Sequence, residues 1–227
     1  DNCLSTIKHE TIYYPNKIKQ IIGRLNTQNL PEKDEREAVE TITELIEYYK
    51  GIFTILSSCA ARQLEEVTFR RNTIPVQELF DAAGKYFRKV TKNRTEKVEL
   101  IIEPMDAKVI GDVNQLRFLF ENLIDEALAV REEGVIRLQA RKDNEYIRFL
   151  FTDTRREKSV TELNQLFYPN LARMTSGEKG ELRGTEYLIC KQIIRDHDEF
   201  AGRRGCRINA EPAEGGGFTV YFTIPRR

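Results

Sequence analysis

Apolar and small residues recur at alternating steps of three and four along the N-terminal segment, and this spacing limits the possible folds more than any other feature. The first run consists of Leu4, Ile7, Thr11, Tyr14, Ile18, Ile21 and Leu25. After a break at Asn29-Leu30-Pro31, a second run consists of Val39, Ile42, Ile46, Tyr49, Phe53, Leu56 and Ala60. Such spacing places the residues on one face of an α-helix. Because proline interrupts helices, the segment predicts two helices in an antiparallel hairpin.

A two-helix hairpin leaves half of its apolar seam uncovered. A second hairpin from another copy of the chain would cover that seam and complete a four-helix bundle. The spacing therefore predicts a homodimer.

Composition excludes several classes of partner. Lys+Arg and Asp+Glu both number 36, so the formal net charge is zero, which argues against a broad electrostatic surface for nucleic acid or anionic lipid. No apolar run is long enough to span a bilayer and no signal peptide is visible. The chain begins with Asp1, so we expect a fragment of a longer protein. The four cysteines lie far apart and predict reduced thiols.

From about residue 67 the pattern changes to alternating strands and helices, which predicts an α+β sandwich. The predicted strands are 67–71, 98–104, 107–111, 134–143, 145–153, 206–212 and 217–225. The predicted helices are 75–91, 112–130 and 184–199, with Asp112 as the N-cap of the second. We therefore predict a helical-hairpin domain over 1–66 and a second domain over 67–227.

His9 is one of only two histidines in the chain. If Leu4 and Ile7 are seam positions, His9 points away from the seam, and we expect an exposed imidazole. Glu10 lies beside it and could accept or orient an imidazole proton. Pro15 predicts a bend one to two turns further on. A surface histidine without a role would show the same exposure.

The whole chain resembles the catalytic core of a bacterial sensor histidine kinase, with a phosphoacceptor hairpin followed by an ATPase domain of the GHKL type. The matching motifs, in family order, are "KHETIYYP", "GDVNQLRFLFENLIDEAL", "FLFTDT", "LNQLFYP", "GTEYLICKQIIRDH" and "GGGFTVYFTIP". The resemblance implies that His9 accepts phosphate with Glu10 as base. It also implies that Asn122, Glu126, Asp153 and Gly184 contact ATP and that Asn122 and Glu126 hold Mg²⁺. A response regulator is the implied partner, and the chain would be the cytoplasmic part of a longer, membrane-anchored sensor.

Several positions depart from the family pattern. Glu126 stands where the family has a second asparagine, and Arg155 and Glu157 replace both glycines of the first glycine box. Glu186 replaces a glycine of the second box, and the H-box proline lies one residue later than usual. Side chains at glycine positions would fill space that the phosphates need, and the glutamates would repel them. We therefore predict weak or absent ATP binding.

Three further interpretations concern single residues. Arg155, Arg156 and Lys158 favour a solvated basic patch over a phosphate-binding role. His197 matches a histidine that often follows the last helix of this family, and we interpret it as structural. The segment "TSGEKGE" occupies the place of the ATP lid.

Two functions remain open. The first is a dimeric signalling scaffold with the kinase architecture and impaired ATP chemistry, in which case no cofactor is needed. The alternative is an active, divergent kinase that uses ATP and Mg²⁺ to phosphorylate His9. A GHKL-type ATPase or chaperone is a third class, and the hairpin that carries His-Glu argues against it.

Overall fold

A computed structural model of the chain describes the backbone of residues 2–27, 30–46, 69–168, 175–176, 182–183 and 186–227. Side chains are described for residues 15–27, 30–46, 69–168 and 186–227. The chain divides into two compact units, and we describe each by itself. The first comprises Asp1–Val67 with Leu171–Arg183, and the second comprises Thr68–Asn170 with Gly184–Arg227. Assignment of separate roles to residues 1–66 and 67–227 stays a prediction.

In the first unit the described residues form two helices, α1 (Asn2–Thr27) and α2 (residues 32–46). Helix α1 continues through Pro15. An open cleft of about 330 Å³ is lined by residues of both helices, so they lie side by side. Strands β6 (Thr175–Ser176) and β7 (Leu182–Arg183) form a separate antiparallel pair.

The inward face of α2 differs from the predicted seam. Leu45 is 8% exposed, whereas Val39 and Ile46 of the predicted seam are 52% and 41% exposed. Within one chain, α2 therefore buries a face displaced from the predicted one, and an apolar stripe stays at the surface. The predicted seam positions before residue 15 and after residue 46 lie outside the described side chains.

The second unit is built on a five-stranded mixed sheet in the order β2-β4-β5-β9-β8. Its strands are β2 (Val98–Ile102), β4 (Gly134–Asp143), β5 (Tyr146–Asp153), β8 (Ile208–Pro212) and β9 (Phe218–Pro225). Strands β2 and β4 are parallel and the other neighbours are antiparallel. A two-stranded antiparallel sheet pairs β1 (Asn72–Pro75) with β3 (Lys108–Gly111).

Four helices complete this unit: α3 (Val76–Thr91), α4 (Val113–Leu128), α5 (Val160–Gln165) and α6 (Glu186–Phe200). Phe80 and Phe120 from α3 and α4 meet Phe149 and Phe222 from the sheet in a fully buried aromatic cluster. The helices therefore cover the sheet through large apolar side chains, each of which contributes about 1.5–3 kcal/mol when buried. This is the predicted α+β sandwich, and Asp112 caps α4 as predicted by accepting from the amides of Asn114 and Gln115.

The predicted strand at 67–71 is wrong for residues 69–71. Residues 69–71 are not part of a β-strand, and the first strand begins at Asn72. The physical reason is that the amide of Arg70 donates to the Asp112 side chain rather than to a neighbouring strand.

Among the helices that the structure describes, none has a stretch both long and apolar enough to cross a lipid bilayer.

Candidate functional site

The candidate nucleotide site lies where β5 ends, and Asp153 is the last residue of that strand. Asp153 is 1% exposed although it carries a carboxylate. Its buried oxygens therefore need hydrogen-bond donors, because an ionised carboxylate is costly to bury without a partner. The resemblance implies that the adenine amino group would be one such donor.

Arg155 supplies those donors from within the chain. Its Nε lies 2.8 Å from Asp153 Oδ1 and its Nη2 lies 2.9 Å from Asp153 Oδ2, a bidentate pair. The backbone N–H of Arg155 also donates to Oδ1 at 3.1 Å, and Arg156 Nε donates to Oδ2 at 3.1 Å. Both oxygens of the Asp153 carboxylate thus accept hydrogen bonds from Arg155 and Arg156 of the first glycine box.

The same guanidinium ties this strand end to α4. Arg155 Nη2 donates to the carbonyl of Ala127 at 2.6 Å, and Nη1 donates to the carbonyl of Glu132 at 3.1 Å. Gly134 makes room for it, since a Cβ at that position would lie 2.7 Å from Arg155 Cγ. The Arg155 side chain is therefore only 1% exposed.

The predicted solvated basic patch is wrong for Arg155 and Arg156. Their side chains are 1% and 13% exposed, because Asp153 attracts both. The Arg156 guanidinium also lies 5.7 Å from the Phe218 ring, and the Lys158 ammonium lies 5.5 Å from the same ring. Arg155 fills the end of the site at the Asp153 carboxylate. The prediction had placed its side chain in the space that the phosphates need.

The pKa of Asp153 reflects this arrangement. Burial by itself would raise the pKa, but the hydrogen bonds from Arg155 and the charges of both arginines outweigh it and hold the pKa below its ordinary value. Asp153 is consequently ionised near neutral pH and bound to Arg155 and Arg156. A base that binds through this carboxylate would have to displace a buried arginine, so the residues present do not fit a nucleotide as they stand.

Asn122 and Glu126 lie on α4, one turn apart. Asn122 is 6% exposed, and its side-chain amide donates to the carbonyl of Phe118 at 2.7 Å. The amide nitrogen of Asn122 is thus satisfied within α4, and a ligand role for this residue stays a prediction. Glu186 begins α6, and one of its carboxylate oxygens is buried without a partner.

Two carboxylates influence the pKa of the Cys190 thiol. Burial raises the pKa of Cys190, and the charges of Glu186 and Glu126 raise it further. Among the described residues no group of three or more His, Cys, Asp or Glu side chains is arranged to hold a metal ion.

Three predicted site residues lie outside the described side chains. His9 and Glu10 both lie on α1, but their side chains lie outside the described residues, as does Gly184. The predicted exposure of His9 stays a prediction.

Comparison with known proteins agrees with this fold. Residues 111–227, more than half of the chain, match the family described as "Histidine kinase-, DNA gyrase B-, and HSP90-like ATPase". The chain belongs to this family. The resemblance to a sensor histidine kinase core is thereby confirmed. No curated protein sequence gives a significant match.

Solved structures of family members share the fold. The catalytic domain of histidine kinase ThkA is 20% identical with a TM-score of 0.54, covering 69% of this chain and 96% of that one. Histidine kinase AdeS from Acinetobacter baumannii is 13% identical with a TM-score of 0.53, over 96% and 97% of the two chains. ThkA has also been solved in complex with the response regulator TrrA; it is 18% identical with a TM-score of 0.55, covering 100% of this chain and 62% of that one.

Sequence reasoning missed the contribution of Gly134 and the capping box of α5. Gly134 adopts φ 139°, and its role depends on Arg155, twenty-one positions later. The capping box had a local signal, Ser159-x-x-Glu162, and the structure shows both of its hydrogen bonds.

Proposed function

We propose that this histidine kinase-like ATPase domain and its N-terminal hairpin form a signalling module with impaired nucleotide binding. It acts as a dimeric scaffold that docks a response regulator receiver domain. The observation that carries this proposal is that arginine side chains already bind both oxygens of the Asp153 carboxylate.

In this proposal Arg155 and a nucleotide compete for the Asp153 carboxylate, and this competition decides the function. The guanidinium already makes two hydrogen bonds to Asp153 and two to backbone carbonyls, so a base would gain the carboxylate only after four contacts of Arg155 were lost. Breaking a buried ion pair costs about 3–5 kcal/mol when one partner is left behind. A penalty of about 4 kcal/mol weakens binding roughly a thousandfold.

Calorimetric titration with ATP and Mg²⁺ tests this proposal directly. We expect no saturable binding below millimolar nucleotide for the wild-type chain and tighter binding for Arg155→Gly, which restores a family residue and opens the carboxylate. Arg148→Ala is the matched control, because Arg148 lies on the same strand and pairs with the exposed side of Asp143. Submicromolar affinity of the wild type would overturn the proposal.

An active, divergent kinase remains the second candidate. It is favoured by Asp153 being ionised and by Asn122 and Glu126 occupying the positions that the family uses for Mg²⁺. In this function Glu10 would act as the base while His9 attacks the γ-phosphate.

Acid-labile phosphate on His9 distinguishes the two functions. A chain that takes up label from Mg·ATP, and loses that label in His9→Gln, is an active kinase. A chain labelled only by a small-molecule phosphodonor or a phosphorylated regulator keeps acceptor function with a closed ATP site. If neither donor labels it, His9 has no acceptor role and scaffolding alone remains.

The dimer and the regulator are supported by separate observations. The exposed apolar stripe on α2, Val39 and Ile46, suits burial against a second copy. A similar structure, ThkA, has been solved with a response regulator, which makes a receiver domain the partner we propose here.

A further inference from the structure

Residues 69–71 enter the second unit and are held at three consecutive positions. The Phe69 ring packs edge-on against His197, with centroids 4.9 Å apart, and also contacts Phe200. The amide of Arg70 donates to Asp112 Oδ2 at 2.8 Å. The Arg71 guanidinium lies against the backbone of Gly202, where a Cβ would be only 2.5 Å from Nη1. These contacts explain why the segment leaves the predicted strand.

Asp112 is the centre of this attachment. It is 3% exposed, and one carboxylate oxygen caps α4 while the other receives the Arg70 amide. Its own backbone N–H donates to His197 Nε2 at 3.1 Å. Asp112 therefore connects three parts of the unit: the entering segment, the start of α4 and the end of α6.

The hydrogen bonds of His197 define its tautomer. His197 is fully buried, and its Nδ1 lies 2.7 Å from the carbonyl of Ile193. A carbonyl only accepts, so Nδ1 carries the proton and Nε2 offers its lone pair to the Asp112 amide. Gly111 allows this approach, because a Cβ there would lie 2.7 Å from Nε2. The ring thus has one protonation state that satisfies both of its nitrogens.

We propose that Asp112 and His197 form an acid-sensitive clasp for residues 69–71, which opens when His197 Nε2 takes a proton from solvent. The added proton would place two N–H groups face to face, because the Asp112 amide has no alternative orientation while Asp112 caps α4. The hydrogen bond is then lost, and the imidazolium must leave the apolar pocket formed with Phe69. The Arg70 amide and the Phe69 ring lose their fixed partners in the same step.

The charges around His197 set the direction of its titration. Burial lowers the pKa of His197, and the Ile193 hydrogen bond and the Asp112 carboxylate offset this only in part. Arg70 and Arg71 are the charged residues of the entering segment, and the Arg71 guanidinium lies against Gly202. On α6, Asp198 accepts from the amides of Gly205 and Cys206 and pairs with Arg204. The clasp is therefore closed above pH 6.5, the ordinary value, and weakens as pH falls below it.

Opening of the clasp would release residues 69–71, through which the chain enters the second unit. The segment follows directly on the hairpin sequence, so its release changes how firmly the start of the second unit is held. This inference does not depend on whether ATP binds.

The test is a pH titration of the full chain by NMR from pH 7.5 to 5. The chain has two histidines, so His9→Gln leaves one imidazole signal and assigns His197. We expect His197 to titrate below 6.5 and the amide signals of Arg70 and Asp112 to shift with the same midpoint, while the Phe149 amide in the sheet centre stays unchanged. His197→Gln keeps a donor and an acceptor without a titrating group, and we expect it to abolish the shift.

Three results would overturn the clasp. The first is an imidazole that titrates without a shift at Arg70 and Asp112. The second is a transition that persists in His197→Gln. The third is a Phe149 amide that moves with the same midpoint, since this would indicate global unfolding. If His197→Gln does not fold, the wild-type comparison of imidazole and amide midpoints still decides.

Discussion

Among the departures from the family pattern, Arg155 has the largest effect on the structure. A glycine in the first glycine box lets the backbone approach a ligand closely. Here an arginine instead turns back onto Asp153, two residues earlier, onto the carbonyl of Ala127 in α4 and onto the carbonyl of Glu132 after α4. In this structure the Asp153 carboxylate is half of a buried ion pair within the chain.

At the residue scale we predict that Arg155→Ala destabilises the second unit by about 3–5 kcal/mol, because it leaves the Asp153 charge buried without its main partner. The double variant Asp153→Ala/Arg155→Ala should cost less than the sum of the single variants, since neither charge is left alone. Urea unfolding of the four chains measures this coupling. Additive effects would show that Arg155 acts mainly through its backbone-carbonyl contacts.

The same pair predicts a dependence on pH. The pKa of Asp153 is lowered in the folded chain, so its contribution is complete above the ordinary value of 3.8 and is lost as pH falls through the folded value. Wild-type stability should therefore fall more steeply below pH 4 than that of the double variant. Equal slopes in urea unfolding at a series of pH values would contradict this.

At the scale of elements, α5 illustrates how a short helix is kept in place. It has six residues, too few to be stable alone. Ser159 accepts from the Glu162 amide, and the Glu162 carboxylate accepts from the Ser159 amide. Hydrogen bonds from the Ser159 backbone and hydroxyl lower the pKa of Glu162, so the box is complete at neutral pH. Leu163, Leu166 and Phe167 then bury their side chains in the core.

We predict that Ser159→Ala lowers the free energy of unfolding by about 0.5–2 kcal/mol through loss of the N-cap. Thr161→Ala is the control, because Thr161 is exposed on the same helix and its replacement should change stability by less than about 0.5 kcal/mol. The difference in urea midpoints between the two variants measures the cap. Equal midpoints would mean that core burial alone holds α5.

At the scale of the whole molecule, the surface of α2 bears on assembly. Leu45 is buried, while Val39 and Ile46 stay half exposed. One helix cannot bury both faces in a two-helix hairpin, so the second face needs another partner. A second copy would supply an identical stripe.

We predict a dimer in sedimentation experiments at micromolar concentration, and a monomer for Val39→Glu/Ile46→Glu because charges in an apolar interface remain unpaired. Glu44→Lys is the control, since Glu44 is exposed on another side of α2. A wild-type monomer under these conditions would contradict the dimer.

The order of elements and the family were readable from the sequence. The predicted strand at 134–143 agrees with β4 residue for residue, and Asp112 is the N-cap that was expected. Periodicity and capping are local, because they depend on neighbours within one or two turns. The motifs in their order then predicted the sandwich and the family.

The tertiary structure decided which side chains meet. The sequence placed Arg155 and Arg156 on a solvated patch, yet Arg155 is bound to Ala127, twenty-eight positions away, and His197 to Asp112, eighty-five positions away. It also decided that α2 turns Leu45 inward. Such contacts depend on which elements pack against each other. The spacing of residues along the chain does not determine which buried acceptor a long polar side chain will reach.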